Sequence, residues 1–260
     1  MSNLSAAEPA GAPRPHLSIV IPAYNEAQRL VSTLATIEHF LASKSYPTEL
    51  IIANDGSTDA TSTLAHGFRS ERVNVRALDL LHRGKAATVR DGVLAARGRY
   101  VLFTDADLST PIDFGDRLLD ALEAGADVAI GSREGAQARR IGEPAYRHLM
   151  GRIFNAVVRV VAVPDIEDTQ CGFKAFRREP AREIFRRTRL HVRRQVRGPM
   201  VTAFDVEVLS IARSLNYSIA EIPVRWTHVS GSKVNPLVDS ARMFRDVFYV
   251  RINAMRGRYD

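Results

Sequence analysis

"VLFTDADLST", residues 101–110, reads as a strand that runs into charge. Val101, Leu102, Phe103 and Thr104 suit a strand buried on both faces, and Asp105 and Asp107 follow one residue apart. Two carboxylates this close repel each other. Either they are turn residues where a strand gives way to a loop, or they hold a divalent cation whose charge turns repulsion into chelation.

The same punctuation recurs outward from this stretch. "LSIVIP" (17–22), "ELIIAN" (49–54), "VNVRAL" (73–78), "YVLFTD" (100–105) and "ADVAIGS" (126–132) predict strands. Helices are expected between them: from Asn25 to about Ser43, from about Asp59, over 84–98, and from Pro111 to about Gly125. Asn25 and Gln28 read as a capping-box-like pair for the first. Regular βα alternation predicts an α/β protein with a mostly parallel sheet and helices on both faces. In such sheets ligands sit beyond the carboxyl ends of the strands. Tyr24–Glu26, Asn54–Asp59, Asp105–Asp107 and Ser132–Arg133 all fall there, so four segments converge on one crevice. The second half is less regular, with helices expected over 144–163, 179–187 and 203–215, a strand over 217–224 and a basic amphipathic helix from Pro236 onward.

At 260 residues the chain can form one large α/β domain or two small ones. Its net charge of +7 favours nucleic acid, an anionic membrane surface or phosphorylated substrates as partners. The lone Cys171 excludes an intrachain disulfide and suits a reducing compartment. No stretch reaches the roughly 18–20 apolar residues of a membrane span. The best candidate, "IFNAVVRVVAV" (153–163), is short and broken by Arg159. Residues 1–16 lack the charged start and apolar core of a signal peptide and read as a disordered lead-in.

"IVIPAYNE", "NDGSTD", "GKAATVRDG", "DADLSTP", "GSR", "DTQCGFKAF", "AFDVEVL" and "EIPVRWTHVSGSK" follow one another in that order. Together they resemble glycosyltransferase family 2, and within it the dolichyl/polyprenyl-phosphate glucosyl- and mannosyltransferase branch, over roughly residues 17–250. The resemblance implies a GT-A fold over 17–235 with a Rossmann-like, mostly parallel sheet, followed by the amphipathic helix at 236–260. It also implies a nucleotide-sugar donor and inversion at the anomeric carbon. By position, Pro22, Ala23, Tyr24 and Glu26 would line the nucleoside pocket, Asp55 would contact the base, and Lys85 would lie near the donor. Asp105 and Asp107 match the DxD motif that holds Mg²⁺ or Mn²⁺, with Asp107 the more direct ligand. Arg133 and Arg147 match arginines that bind an acceptor phosphate, and Ser232 and Lys233 match a loop that closes on the diphosphate. Three features depart from the pattern. Asn54 stands where many relatives have Asp, Ser109 where some mannosyltransferases supply a metal-ligating Gln, and no membrane helix is expected where many relatives carry one.

The acceptor decides whether a base is needed. A sugar hydroxyl is a poor nucleophile and normally needs a positioned carboxylate or His. A lipid monophosphate, with its second pKa near ~6, is already mostly dianionic and needs holding rather than deprotonating. The expectation is that Arg133 and Arg147 grip a polyprenyl or dolichyl phosphate with no general base; for a hydroxyl acceptor, Asp168 or Asp205 becomes the candidate base. The donor is expected to be UDP-glucose, with GDP-mannose the alternative, because "DTQCGFKAF" and "AFDVEVL" look more like the glucosyl branch.

Two other readings compete: a soluble family 2 transferase acting on a hydroxyl of a small molecule or glycan, and a basic nucleic-acid-binding protein. The second lacks a recognisable nucleic-acid motif and leaves Asp105 and Asp107 unexplained, so no nucleic-acid partner is expected. Plainer roles also stand beside the site assignments. Asp168 and Asp205 can cap turns or helices, Cys171 and Trp226 can be packing residues, and Lys233 can be a solvated loop lysine. "RRTRLHVRRQVRG" (186–198), with six arginines, is either a solvated loop or a contact for anionic lipid headgroups. The C-terminal helix can lie in a membrane interface, pack on the domain, or pair with a second copy as a homo-oligomer. A cytoplasmic enzyme, peripheral on the cytoplasmic face of a membrane, is the expectation.

Overall fold

The computed structural model describes residues 14–192, 195, 196, 198, 200, 202–229 and 236–259. The first half alternates as expected: β1 (Leu17–Ala23), α1 (Leu30–Ala42), β2 (Thr48–Asn54), α2 (Thr61–Gly67), β3 (Asn74–Asp79), α3 (Lys85–Ala95), β4 (Tyr100–Thr104) and α4 (Phe114–Glu123). Then come β5 (Val128–Ser132), β6 (Arg139–Ile141), α5 (Ala145–Val161), β7 (Phe173–Arg177) and α6 (Arg178–Arg187). The chain continues with α7 (Phe204–Ser214), β8 (Ile219–Pro223), β9 (Arg225–Thr227) and α8 (Pro236–Met255).

Seven strands form the main sheet in the order β3-β2-β1-β4-β7-β5-β8, and β6 pairs with β9 in a small second sheet. Every pairing in the main sheet is parallel except those of β7, which runs antiparallel between β4 and β5. The apolar runs split by strand period onto the two faces. Val20, Ile51, Val101 and Phe103 pack with α3, α5, α6, α7 and α8. Ile19, Ile21, Leu50, Ile52 and Leu102 pack with α1 and α4 on the other side.

Besides the small β6–β9 sheet, which the sequence did not lead one to expect, two local features differ from expectation. No strand is expected from the sequence at β7, whose apolar pattern Lys174 interrupts. Lys174 is nonetheless fully buried, and its ammonium donates to Asp205 at 2.6 Å, a partner supplied from α7. Asn25 is not a helix cap: it adopts a left-handed φ of 53°, and α1 starts only at Leu30. Its Oδ1 instead accepts from the backbone N–H of Thr58 at 2.8 Å, which ties the loop after β1 to the loop after β2.

The C-terminal helix packs on the domain. Val247 and Val250 are buried in the core on the α7 side. Beyond the helix, the buried Tyr259 hydroxyl donates to Glu207 of α7 at 2.8 Å. At the other end, backbone bonds from His16 to Pro47 and from Arg99 to Pro15 fasten the chain just ahead of β1.

Candidate active site

The candidate site lies where the strand order reverses, between β1 and β4. β1 stays beside β2 through Ala23 but pairs with β4 only as far as Val20, so Pro22 stands where its missing N–H breaks no β1–β4 bond. The nucleoside-pocket candidates Pro22, Ala23, Tyr24 and Glu26 follow one another along this lip.

Asp55, just past β2, organises the adjoining loop. Its carboxylate accepts from the backbone N–H groups of Arg83 and Gly84, both at 2.9 Å, and from His82 Nδ1 at 2.8 Å. An ionised carboxylate has no proton to give, so Nδ1 carries it. Gly84 sits at φ 88°, a conformation that a side chain would oppose, and that turn delivers Lys85 as the first residue of α3. The His82 ring stacks on Tyr24 with centroids 4.0 Å apart and planes within 4°. Its Nε2 is buried and has no hydrogen-bond partner among the described residues. His82 was not among the sequence candidates; its position just before Gly84 and Lys85 at the carboxyl end of β3 is the signal that could have found it.

Lys85 Nζ lies 2.5 Å from Asp105 Oδ1. Burial, reinforced by repulsion from Asp107 and Asp205, pushes Asp105 above the usual carboxylate range, against the pull of Lys85. Asp107 Oδ1 accepts from the Ser109 backbone N–H at 2.9 Å, so Ser109 contributes through its main chain. Asp205 lies close enough to act on both Lys85 and Asp105, and its own Oδ1 takes the Lys174 ammonium.

Arg133, just past β5, meets Asp168 side-on: Nε donates to Oδ2 at 2.7 Å and Nη2 to Oδ1 at 2.8 Å, and the Arg133 N–H adds a third bond. Burial alone would raise Asp168, but the Arg133 charge and hydrogen bonds win and hold it well below the usual carboxylate range. The guanidinium also lies 5.5 Å from the Trp226 ring centroid, and its Nη1 makes no bond to a described residue. Burial and the nearby Asp168 push the Cys171 thiol up to about 11, which suits an inert core position. Arg147 is in the first turn of α5 but its side chain lies outside the description, and Ser232 and Lys233 lie outside the described residues.

The family profile described as Glycosyl transferase family 2 matches residues 18–185. The chain belongs to glycosyltransferase family 2. A dolichyl-phosphate beta-glucosyltransferase of Drosophila melanogaster is 40% identical over 262 residues, covering 95% of this chain and 78% of that protein. Those of Homo sapiens and Saccharomyces cerevisiae are each 34% identical, covering 95% and 94% of this chain and 78% and 76% of their own. Among solved structures, glucosyl-3-phosphoglycerate synthase from Mycobacterium tuberculosis bound to UDP aligns at a TM-score of 0.61 with 18% identity, covering 91% of this chain and 80% of that one. Its complex with Mn²⁺, UDP-glucose and phosphoglyceric acid aligns at 0.57 with 19% identity, covering 94% and 80%. These structures establish the GT-A fold of the family 2 chain.

The donor set of this family 2 protein suits a hard divalent ion. Asp105 and Asp107 offer oxygen only, and among the described residues no cluster of three or more His, Cys, Asp or Glu is built to hold a metal unaided. Two carboxylates completed by substrate phosphates and water match the habit of Mg²⁺ and Mn²⁺ sites.

Proposed function

We propose that this protein transfers glucose from UDP-glucose to a polyprenyl or dolichyl phosphate with inversion at the anomeric carbon. The observation that carries this reading is the Asp105, Asp107 and Lys85 cluster at the switch point of a chain 34–40% identical to dolichyl-phosphate beta-glucosyltransferases. Tyr24 and His82 would form the nucleobase end of the donor cleft, with Asp55 holding the 82–84 loop against it. Asp105 and Asp107 would hold Mg²⁺ or Mn²⁺ with the diphosphate, and such an ion neutralises charge on the leaving group.

An acceptor phosphate oxygen attacks the anomeric carbon opposite the departing UDP; the new C–O bond forms as the C–O bond to diphosphate breaks. The committed state of the carboxylates supports a step without a general base. Asp168 is engaged by Arg133 and Asp205 by Lys174, so neither is a free base. Arg133, fixed by Asp168, would present Nη1 to the acceptor phosphate, with Arg147 and the Ser232–Lys233 loop as further phosphate contacts.

A lipid acceptor calls for a membrane-facing surface. No helix among the described residues is long and apolar enough to cross a membrane. Instead α5 leaves Leu149, Ile153 and Val160 exposed, and α8, packed on it through Phe154 and Phe244, leaves Phe248, Ile252 and Met255 exposed. The exposed Arg152, Arg159, Arg251 and Arg256 flank these stripes. Apolar stripes beside arginines fit peripheral docking on an anionic bilayer, in this reading at its cytoplasmic face.

The deciding experiment offers UDP-glucose, UDP-galactose, UDP-N-acetylglucosamine and GDP-mannose together with a short polyprenyl phosphate and Mg²⁺ or Mn²⁺, read by mass spectrometry. A hexosyl-phospholipid drawn from UDP-glucose is expected. Donor hydrolysis without a lipid product would redirect the reading to a hydroxyl acceptor.

A further inference from the structure

A cavity of about 470 Å³ lies on the flank of the domain, between α3 and the end of α6. Arg83, Arg90, Arg186, Arg187, Arg189 and Arg258 line it, and none of the donor-cleft carboxylates does. Its volume falls within the range of small-molecule sites. Like charges gathered this closely repel, so they require compensation.

That compensation is incomplete. Asp91 pairs with Arg83 and with Arg90, and Glu183 pairs with Arg187 at 3.0 Å. Among the described residues these are the carboxylates that pair with the six guanidinium groups, and Arg186 has no acidic partner. Backbone carbonyls hold three of the arginines in place. Arg83 donates to Val192 O at 2.9 Å, Arg90 to Phe185 O at 3.0 Å, and Arg189 to Arg258 O at 3.0 Å. The forks of Arg83, Arg90 and Arg189 are therefore positioned by the fold. The Nε atoms of Arg83 and Arg187 are buried and without a hydrogen-bond partner among the described residues. Buried unpaired donors of this kind are rare in folded proteins unless something fills the space beside them.

We propose that this cavity binds a compact ligand carrying two or more phosphate groups, at a site separate from the donor cleft. Arginine forks match phosphate oxygens in pairs, and a single phosphate would leave most of the excess charge uncompensated. The ligand is either a free polyphosphate or a multiply phosphorylated lipid headgroup. The site does not depend on the identity of the glycosyl acceptor.

The test is calorimetric titration of the full chain with inorganic tripolyphosphate in buffer containing EDTA, at physiological salt. Arg186 and Arg189 are exposed at the rim, so the Arg186→Gln/Arg189→Gln double variant leaves the core intact. Arg83 is left alone because its side chain pairs with the buried Asp91. Binding to the wild type is expected, weakened roughly 10-fold or more in the double variant by the lost charge-assisted hydrogen bonds. Arg139→Gln, an exposed arginine on β6, is expected to leave binding unchanged. Equal weakening by Arg139→Gln would mean diffuse charge attraction, and loss with Lys85→Gln alone would mean the anion sits in the donor cleft. Either result, or no binding to the wild type, overturns the proposal. Neutral vesicles doped with phosphatidylinositol bisphosphate identify the source. Vesicle binding that tripolyphosphate displaces and the double variant loses assigns a headgroup; tripolyphosphate binding without vesicle binding assigns a soluble ligand.

Discussion

Gly172 lies against the carboxylate of Asp105: a Cβ placed on it would come within 2.2 Å of Oδ2 and 2.8 Å of Cγ. Asp105 is thus confined between this bare stretch of backbone and Lys85 Nζ at 2.5 Å. Gly172→Ala would rotate the carboxylate out of place while asking little of the backbone. The expected result is a fall in kcat of about 100-fold, the scale of a misplacement near 1 Å. Thermal unfolding of the purified variant is expected to register only the modest penalty of one added carbon, about 1–3 kcal/mol. An unchanged kcat would show that Asp105 does not need that position.

The mechanism without a base is tested at Asp205. Asp205→Asn keeps an oxygen for Lys174, removes the proton-accepting charge, and is expected to leave turnover within roughly 10-fold of wild type once the folded fraction is matched. A general base contributes about 10²–10⁴-fold, so a loss on that scale would assign Asp205 that role and point to a hydroxyl acceptor.

Asp168 makes a stability prediction with a defined sign. Its pKa is depressed in the folded state, so its stabilisation is present above the unfolded value of about 4 and is lost as pH falls through the lower folded value. Asp168→Asn removes one partner of a buried pair and is expected to cost about 3–5 kcal/mol near neutral pH. Urea unfolding of both proteins from neutral pH down to about 3 measures it; the gap is expected to narrow only on the acid side. A gap independent of pH would mean the pair contributes through packing rather than charge.

Membrane docking predicts a separable phenotype. Ile153→Ser and Phe248→Ser alter side chains that are 52% and 54% exposed, so the fold is expected to be nearly unaffected. Sedimentation with anionic vesicles is expected to weaken roughly 10-fold for each, the scale of one inserted apolar side chain. Turnover on a detergent-dispersed acceptor should persist. Undiminished vesicle binding by the double variant would place the contact elsewhere.

The β1–β5 alternation was legible because it is written in local pattern: apolar runs, then polar residues at their carboxyl ends. β7 was not legible, because a lysine in mid-sheet makes sense only beside Asp205, which arrives from a helix 31 residues further along. His82 escaped for a related reason, since its place is set by Asp55 and Tyr24 rather than by its neighbours in sequence. Asn25 shows the reverse error. Its spacing to Gln28 matched a helix start, and a tertiary bond to Thr58 overrode that local preference. The Arg133–Asp168 fork joins residues both singled out in sequence, where they were given separate roles.

The insertion of β7 between β4 and β5 also bears on how the chain is made. Leu102 on β4 and Ala129 on β5 both pair with Ala175, so two strands formed early in synthesis meet only through one that emerges much later. Until Phe173–Arg177 leaves the ribosome, β4 and β5 each lack that neighbour, the condition under which strand edges recruit other chains. The strand that follows Gly172 is therefore also the one that joins β4 to β5, so the backbone that confines the Asp105 carboxylate and the cover for those two strand edges arrive in the same event.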